Sequence, residues 1–153
     1  MLKLFLIYLK KEVFNLKDFI NDYCIAAFSF YACNGKSLSR YKESLYDCAV
    51  NESYYCNAPV TFLYERKLKQ NVSEIADIEA VDNVIFQLQK DEKYEILRSI
   101  ELVYFKLPKC FKRGDINNLV VKASLDLPAS IRTVQRHLRE ARTLFAYKRG
   151  LRT

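Results

Sequence analysis

Six side chains able to read nucleic acid crowd into positions 132–139: Arg132, Thr133, Gln135, Arg136, His137 and Arg139. A guanidinium grips guanine O6 and N7 bidentately and a glutamine amide does the same for adenine, each pair worth ~1–3 kcal/mol of discrimination. On a helix opening at Ser130, we expect Arg132, Arg136 and His137 to face base edges, with Gln135 at their side. Thr133, Arg139 and, upstream, Lys122 suit phosphates, which fix register without reading sequence. Lys112 and Arg113 would hold the backbone on the other flank. Two of these have plainer roles open to them: Arg139 can pair with Glu140 or Asp126 on the surface, and Lys112 can be a solvated loop charge. His137 is the single histidine of the chain. With no carboxylate or cysteine in a constellation around it, a base contact or plain exposure suits it better than acid–base work.

Such a face needs a helix beneath it and a second element to aim it. Ser130 suits the N-cap, because its hydroxyl can accept from the free amides of the first turn. Ile131, Val134, Leu138, Ala141 and Phe145 then recur at three- and four-residue steps, the apolar side of one helix. Ile116, Leu119, Val120 and Ala123 give a shorter helix before it with a matching stripe. Between them lies Leu125-Asp126-Leu127-Pro128-Ala129, whose proline cannot continue a helix. The layout is a helix-turn-helix, whose second helix enters the major groove N-terminus first.

Charge is segregated in the same direction. From Lys106 onward there are twelve Lys/Arg against three Asp/Glu, an excess of +9 in a chain of net charge +7. Residues 1–105 are therefore slightly acidic, and the whole basic excess belongs to the C-terminal third. A duplex with one phosphate charge per ~1.7 Å attracts such a surface and releases counterions on contact.

Other functions lack their signatures. There is no G-x-x-x-x-G-K-[ST], no H-E-x-x-H and, with one histidine, no catalytic triad, so the chain reads as a non-enzyme without a cofactor. The five cysteines Cys24, Cys33, Cys48, Cys56 and Cys110 contain no C-x-x-C pair, which argues against zinc. They read as reduced core thiols, with Cys24 and Cys33 flanking an apolar run. Asp77, Glu79 and Asp82 read as a solvated acidic face rather than a metal set, since 77 and 79 do not share a helical face. The apolar opening, MLKLFLIYL, is broken by Lys10, Lys11 and Glu12 and lacks a cleavage site. No stretch approaches the ~20 apolar residues of a spanning helix. The expectation is a cytoplasmic protein with no membrane partner.

With 153 residues, half of them hydrophobic, but only three Gly and three Pro, the fold is expected to be all-α: a helical core or oligomerisation part over 1–107, then a DNA-binding part over 108–153. Residues 2–14 predict either a first helix or a leader. Asn15 or Asp18 opens the next helix, with Leu16, Phe19, Ile20, Tyr23, Cys24, Ala27, Phe28 and Tyr31 inward, and Asn34-Gly35 ends it. A helix from Ser37 to Val50 buries Leu38, Tyr41, Leu45, Tyr46 and Cys48 or Ala49. The patch at 53–59 reads as loop or short turn. From Val60, Phe62, Leu63 and Leu68 face inward. Ile75, Ile78, Ala80 or Val81, Ile85 and Leu88 mark a further helix to Gln89. The next opens at Asp91, buries Tyr94, Ile96 or Leu97, Ile100, Val103 and Tyr104, and ends near Lys106.

Three runs together resemble a known family: I-E-A-V-D-x-x-I-x-x-L at 78–88, I-L-R-S-I-E-L-V-Y-F at 96–105, and S-x-x-T-V-x-R-x-L-x-x-A-R at 130–142. Over roughly residues 70–152 the chain is similar to phage-type transcriptional regulators of the ArpU and RinA kind, whose C-terminal half resembles the fourth region of sigma factors. The resemblance implies that Thr133 and Val134 open the recognition helix, that Arg136 lies on the DNA side, and that Ala141 and Arg142 pack and clamp its far end. It further implies a phage or prophage transcription regulator that contacts RNA polymerase, with a homodimer left open. Two other readings remain: a phage DNA-packaging recognition subunit or helical interaction module, and, more distantly, a recombinase-associated protein.

Overall fold

The computed structural model describes the backbone of residues 2–152 and the side chains of residues 17–152. Seven α-helices and one 3-10 turn, with no strand, make up the described residues: α1 (Leu2–Cys33), α2 (Leu38–Ser53), α3 (Val60–Gln70), α4 (Val72–Lys90), α5 (Tyr94–Leu102) followed by the 3-10 turn Tyr104–Lys106, α6 (Arg113–Asp126) and α7 (Ile131–Arg149). The all-α expectation holds. None of these helices is long and apolar enough to cross a membrane.

The backbone of α1 runs through Asn15 and Asp18 without a new start, so the two helices expected there are one. The inward packing expected of Leu2 to Val13 and of Leu16 lies outside the described side chains. The helix ends where the sequence says it should. Gly35 takes a left-handed φ of 89°, and the Asn34 and Lys36 amides donate back to the Tyr31 carbonyl. A Cβ at Gly35 would sit 2.8 Å from Cβ of Arg40, so the turn needs glycine for space as well as for φ. Ser37 then caps α2, accepting from the Arg40 amide at 3.1 Å.

Helices α1, α4, α5, α6 and α7, joined by Tyr41 of α2, share one hydrophobic core, which runs unbroken across the 107/108 boundary. Its centre is aromatic: Phe28 stacks on Tyr104 with ring centroids 5.3 Å apart and meets Phe145 at 5.6 Å. All three are fully buried. Helix α7 packs against α4, α5, α6 and α1, so the basic helix is a strut of the core rather than an appended arm. Helices α2 and α3 form a hairpin packed chiefly on itself, with Ala49 and Leu63 buried outside the main core.

Several expected core residues point outward. Tyr46 and Phe62 are exposed on the hairpin, because two helices that pack mainly on each other have only one inward stripe each, and those two side chains lie off it. Phe19 is also exposed, Cys33, Cys48 and Cys110 are surface thiols and Cys56 is half-buried, leaving Cys24 as the fully buried cysteine. Burial pushes the Cys24 thiol up to about 11, which keeps it protonated and inert. Helix α5 opens at Tyr94 rather than Asp91, because the chain first reverses through Glu92 at a φ of 58°. The Lys93 amide then donates to the Leu88 carbonyl at 2.9 Å, closing α4. Tyr94, at the mouth of the new helix, is consequently exposed.

Asp77 and Asp82 are not a solvated acidic face. Asp77 accepts from the Tyr23 hydroxyl at 2.7 Å and from Nε of Arg149 at 2.8 Å. Asp82 accepts from the Tyr31 hydroxyl at 2.6 Å and from the Leu38 amide at 3.2 Å. Both carboxylates lash α4 to its neighbours, and Glu79 alone of the three is exposed. The hydroxyls of half-buried Tyr23 and buried Tyr31 need acceptors, and those acids supply them.

Candidate nucleic-acid interface

The helix pair expected at the C-terminus is present. Helix α6 starts at Arg113, where the Asp115 carboxylate accepts from the Lys112 amide at 2.9 Å. It ends at Asp126 and is capped by Leu127, whose amide donates to the Ala123 carbonyl. Val120 and Ala123 are its buried residues, with Ile116 and Leu119 packed beside them. After the turn, Ser130 caps α7 as its sequence position predicts: its Oγ accepts from the Thr133 amide at 3.1 Å and lies 2.9 Å from Oγ1 of Thr133. The far end closes on Gly150 at a φ of 76°, with the Leu151 amide donating to Ala146. Val134, Leu138, Ala141 and Phe145 form the buried stripe.

Outside that stripe gather most of the residues expected to read DNA. Ser130, Ile131, Arg132, Thr133, Gln135, Arg136 and Arg139 line one open depression at the N-terminal half of α7. Arg132, Gln135, Arg136 and Arg139 are exposed. None of the three arginines forms an ion pair within the chain among the described residues. The alternative pairing of Arg139 with Glu140 or Asp126 is absent among the described residues, and Glu140 pairs instead with Lys93 at 2.6 Å. Lys112, Arg113 and Lys122 are exposed on or just before α6 and lie outside that depression.

His137 departs from expectation. It is only 8% exposed, with Nδ1 3.2 Å from Oγ of Ser99 on α5. The Ser99 hydroxyl donates to the Glu95 carbonyl at 3.0 Å, so its oxygen is left to accept and the imidazole donates from Nδ1. Nε2 then faces the Glu95 carboxylate at 3.9 Å. The ring is a packing and hydrogen-bonding link between α5 and α7, and it is withdrawn from any base edge. The reason is positional: His137 sits on the flank of the buried stripe, and α5 covers that flank.

Ile131 departs in the opposite sense. It continues the apolar period of Val134 and Leu138, yet it is 44% exposed and stands in the depression with the arginines. No core element extends far enough to cover the first turn on that side.

The rest of α7 is bonded to the core at several points, which matters for any groove reader. Nη1 of Arg142 donates to the Tyr104 hydroxyl at 2.6 Å, so this residue ties α7 to the core. The thiol of Cys24 donates to the Arg142 carbonyl at 3.9 Å. Arg149 reaches Asp77 and, at 3.4 Å, Oγ of Ser73, and that bond to Asp77 holds its guanidinium charged. The Tyr23–Asp77–Arg149 set spans α1, α4 and α7. It was invisible in the sequence, because nothing in local spacing joins residues 54 and 72 positions apart. Compared with protein-family models, curated proteins and solved structures, the chain matches none.

Proposed function

We propose that this protein is a sequence-specific regulator of transcription, of the phage or prophage type its sequence resembles, which reads the DNA major groove with α7. The observation that carries the reading is the exposed, unpaired set Arg132, Gln135, Arg136 and Arg139 on the capped N-terminal half of a helix fixed to the core. Guanidinium groups left without acids of their own are free to meet phosphates and guanine edges at low desolvation cost. Arg132 and Arg136 take the base edges with Gln135 beside them. Arg139, Thr133, Ser130 and Lys122 contact phosphates, and Lys112 and Arg113 hold the strand on the far side of α6. The chemistry is recognition alone: no covalent step is involved.

A second reading draws on the hairpin. Tyr46, Tyr54, Tyr55 and Phe62 are exposed there, and exposed aromatics are enriched at protein interfaces. In that reading α2–α3 docks a protein, RNA polymerase or a second copy of the chain, while α7 holds the DNA. The deciding experiment is a binding selection by the full chain from duplexes with a randomised centre, followed by a salt titration on the recovered duplex. Recovery of a defined sequence, with affinity falling steeply as salt rises, supports the regulator. Equal binding to every duplex, or none, refutes it.

A further inference from the structure

We propose that Ile131 is a specificity-determining residue that reads the 5-methyl group of a thymine, a role that rests on the DNA-reading function of α7. Residues three and four apart are neighbours on a helix, so Ile131, Gln135 and Arg139 form one ridge and Arg132 and Arg136 the next. Both ridges line the same depression. Within it every side chain but one carries a hydrogen-bonding or charged group; the exception is Ile131. Its place is not explained by packing, since Val134, Leu138, Ala141 and Phe145 fill the buried stripe without it. Helix propensity does not explain it either, because β-branched residues are mediocre in a first turn. Major-groove base edges offer donors, acceptors and a single apolar feature, the thymine methyl. An aliphatic group at the head of a polar ridge matches that feature, with Gln135 one turn on able to bond the neighbouring base.

Deoxyuridine in place of thymidine deletes only that methyl, so it isolates the contact. The full chain first selects a duplex from a randomised pool. That duplex is then resynthesised with deoxyuridine at each thymidine in turn, and affinities are compared for the wild-type chain, Ile131→Ala and Ile131→Val. One position is expected to weaken wild-type binding about fourfold, the worth of one buried methyl. Ile131→Ala should bind the two versions equally, whereas Ile131→Val keeps the preference. A selected duplex without thymine, insensitivity to uracil at every position, or an unchanged preference in Ile131→Ala overturns the assignment while leaving DNA reading in place. Failure to select any duplex removes DNA reading itself, and this role with it.

Discussion

Arg136→Ala and Arg139→Ala separate base reading from backbone attachment. Both side chains are exposed and outside every ion pair found among the described residues. Folding stability should therefore change by no more than ~0.5 kcal/mol for either, which a thermal melt checks. Binding should separate them. A bidentate base contact is worth ~1–3 kcal/mol, so Arg136→Ala is expected to lose roughly 5- to 150-fold on the selected duplex and far less on a random one. Arg139→Ala should lose affinity equally on both. Six exposed cations belong to the proposed surface: Lys112, Arg113, Lys122, Arg132, Arg136 and Arg139. If all six neutralise phosphates, the slope of log affinity against log salt is about −5.4; if Arg132 and Arg136 read bases instead, it is about −3.6. Fluorescence anisotropy across a salt series measures this, and Arg139→Ala should flatten the slope by about 0.9. Equal losses for Arg136→Ala on selected and random duplexes, with a slope that falls as it does for Arg139→Ala, would refute base reading by Arg136.

The remaining predictions concern the frame that holds α7. Phe145→Ala removes a fully buried ring packed on Phe28 and should cost ~3–5 kcal/mol by denaturant titration; a loss below ~1 kcal/mol would show that the core does not close around α7. Tyr31 and Tyr104 are buried, and burial first of all raises both phenols above the ordinary value of 10.0. The folded state thus keeps protons that the unfolded chain sheds. Their contribution is constant below pH 10 and falls as pH rises beyond it, by up to ~1.4 kcal/mol per unit for each. Tyr31→Phe should shallow that alkaline decline, and an unchanged slope would contradict the burial of the Tyr31 phenol beside Asp82. Gly35→Ala, with its left-handed φ and crowding by Arg40, should destabilise by ~1–2 kcal/mol, whereas Gly114→Ala in the open first turn of α6 should stabilise by about 0.5 kcal/mol.

The placement of His137 and Ile131 shows where a sequence runs out. Local rules were sufficient for what local physics controls: Ser130 as a cap, Gly35 as a stop, and the buried stripe Val134, Leu138, Ala141 and Phe145. At ~100° per residue, Ile131 and His137 fall about 60° to either side of Val134, each on the margin of that stripe. Periodicity cannot decide a margin; the neighbouring helix does. Helix α5 brings Ser99 and Glu95 against the His137 side, while the Ile131 side is open at the first turn. The same logic explains Asp77 and Asp82, whose partners Tyr23, Tyr31 and Arg149 are remote in sequence. It bears directly on function. A polar ring drawn inward ties α7 to α5 and fixes the rotation of the helix about its axis. In the proposed reading that rotation sets which ridge would meet the groove, and it leaves an isoleucine outward among arginines. Loosening the link should therefore change which duplex is selected as well as how tightly it is held. His137→Ala, read by repeating the selection, is expected to broaden the recovered sequences, and an unchanged recovered sequence would mean that the orientation of α7 is set by the core alone.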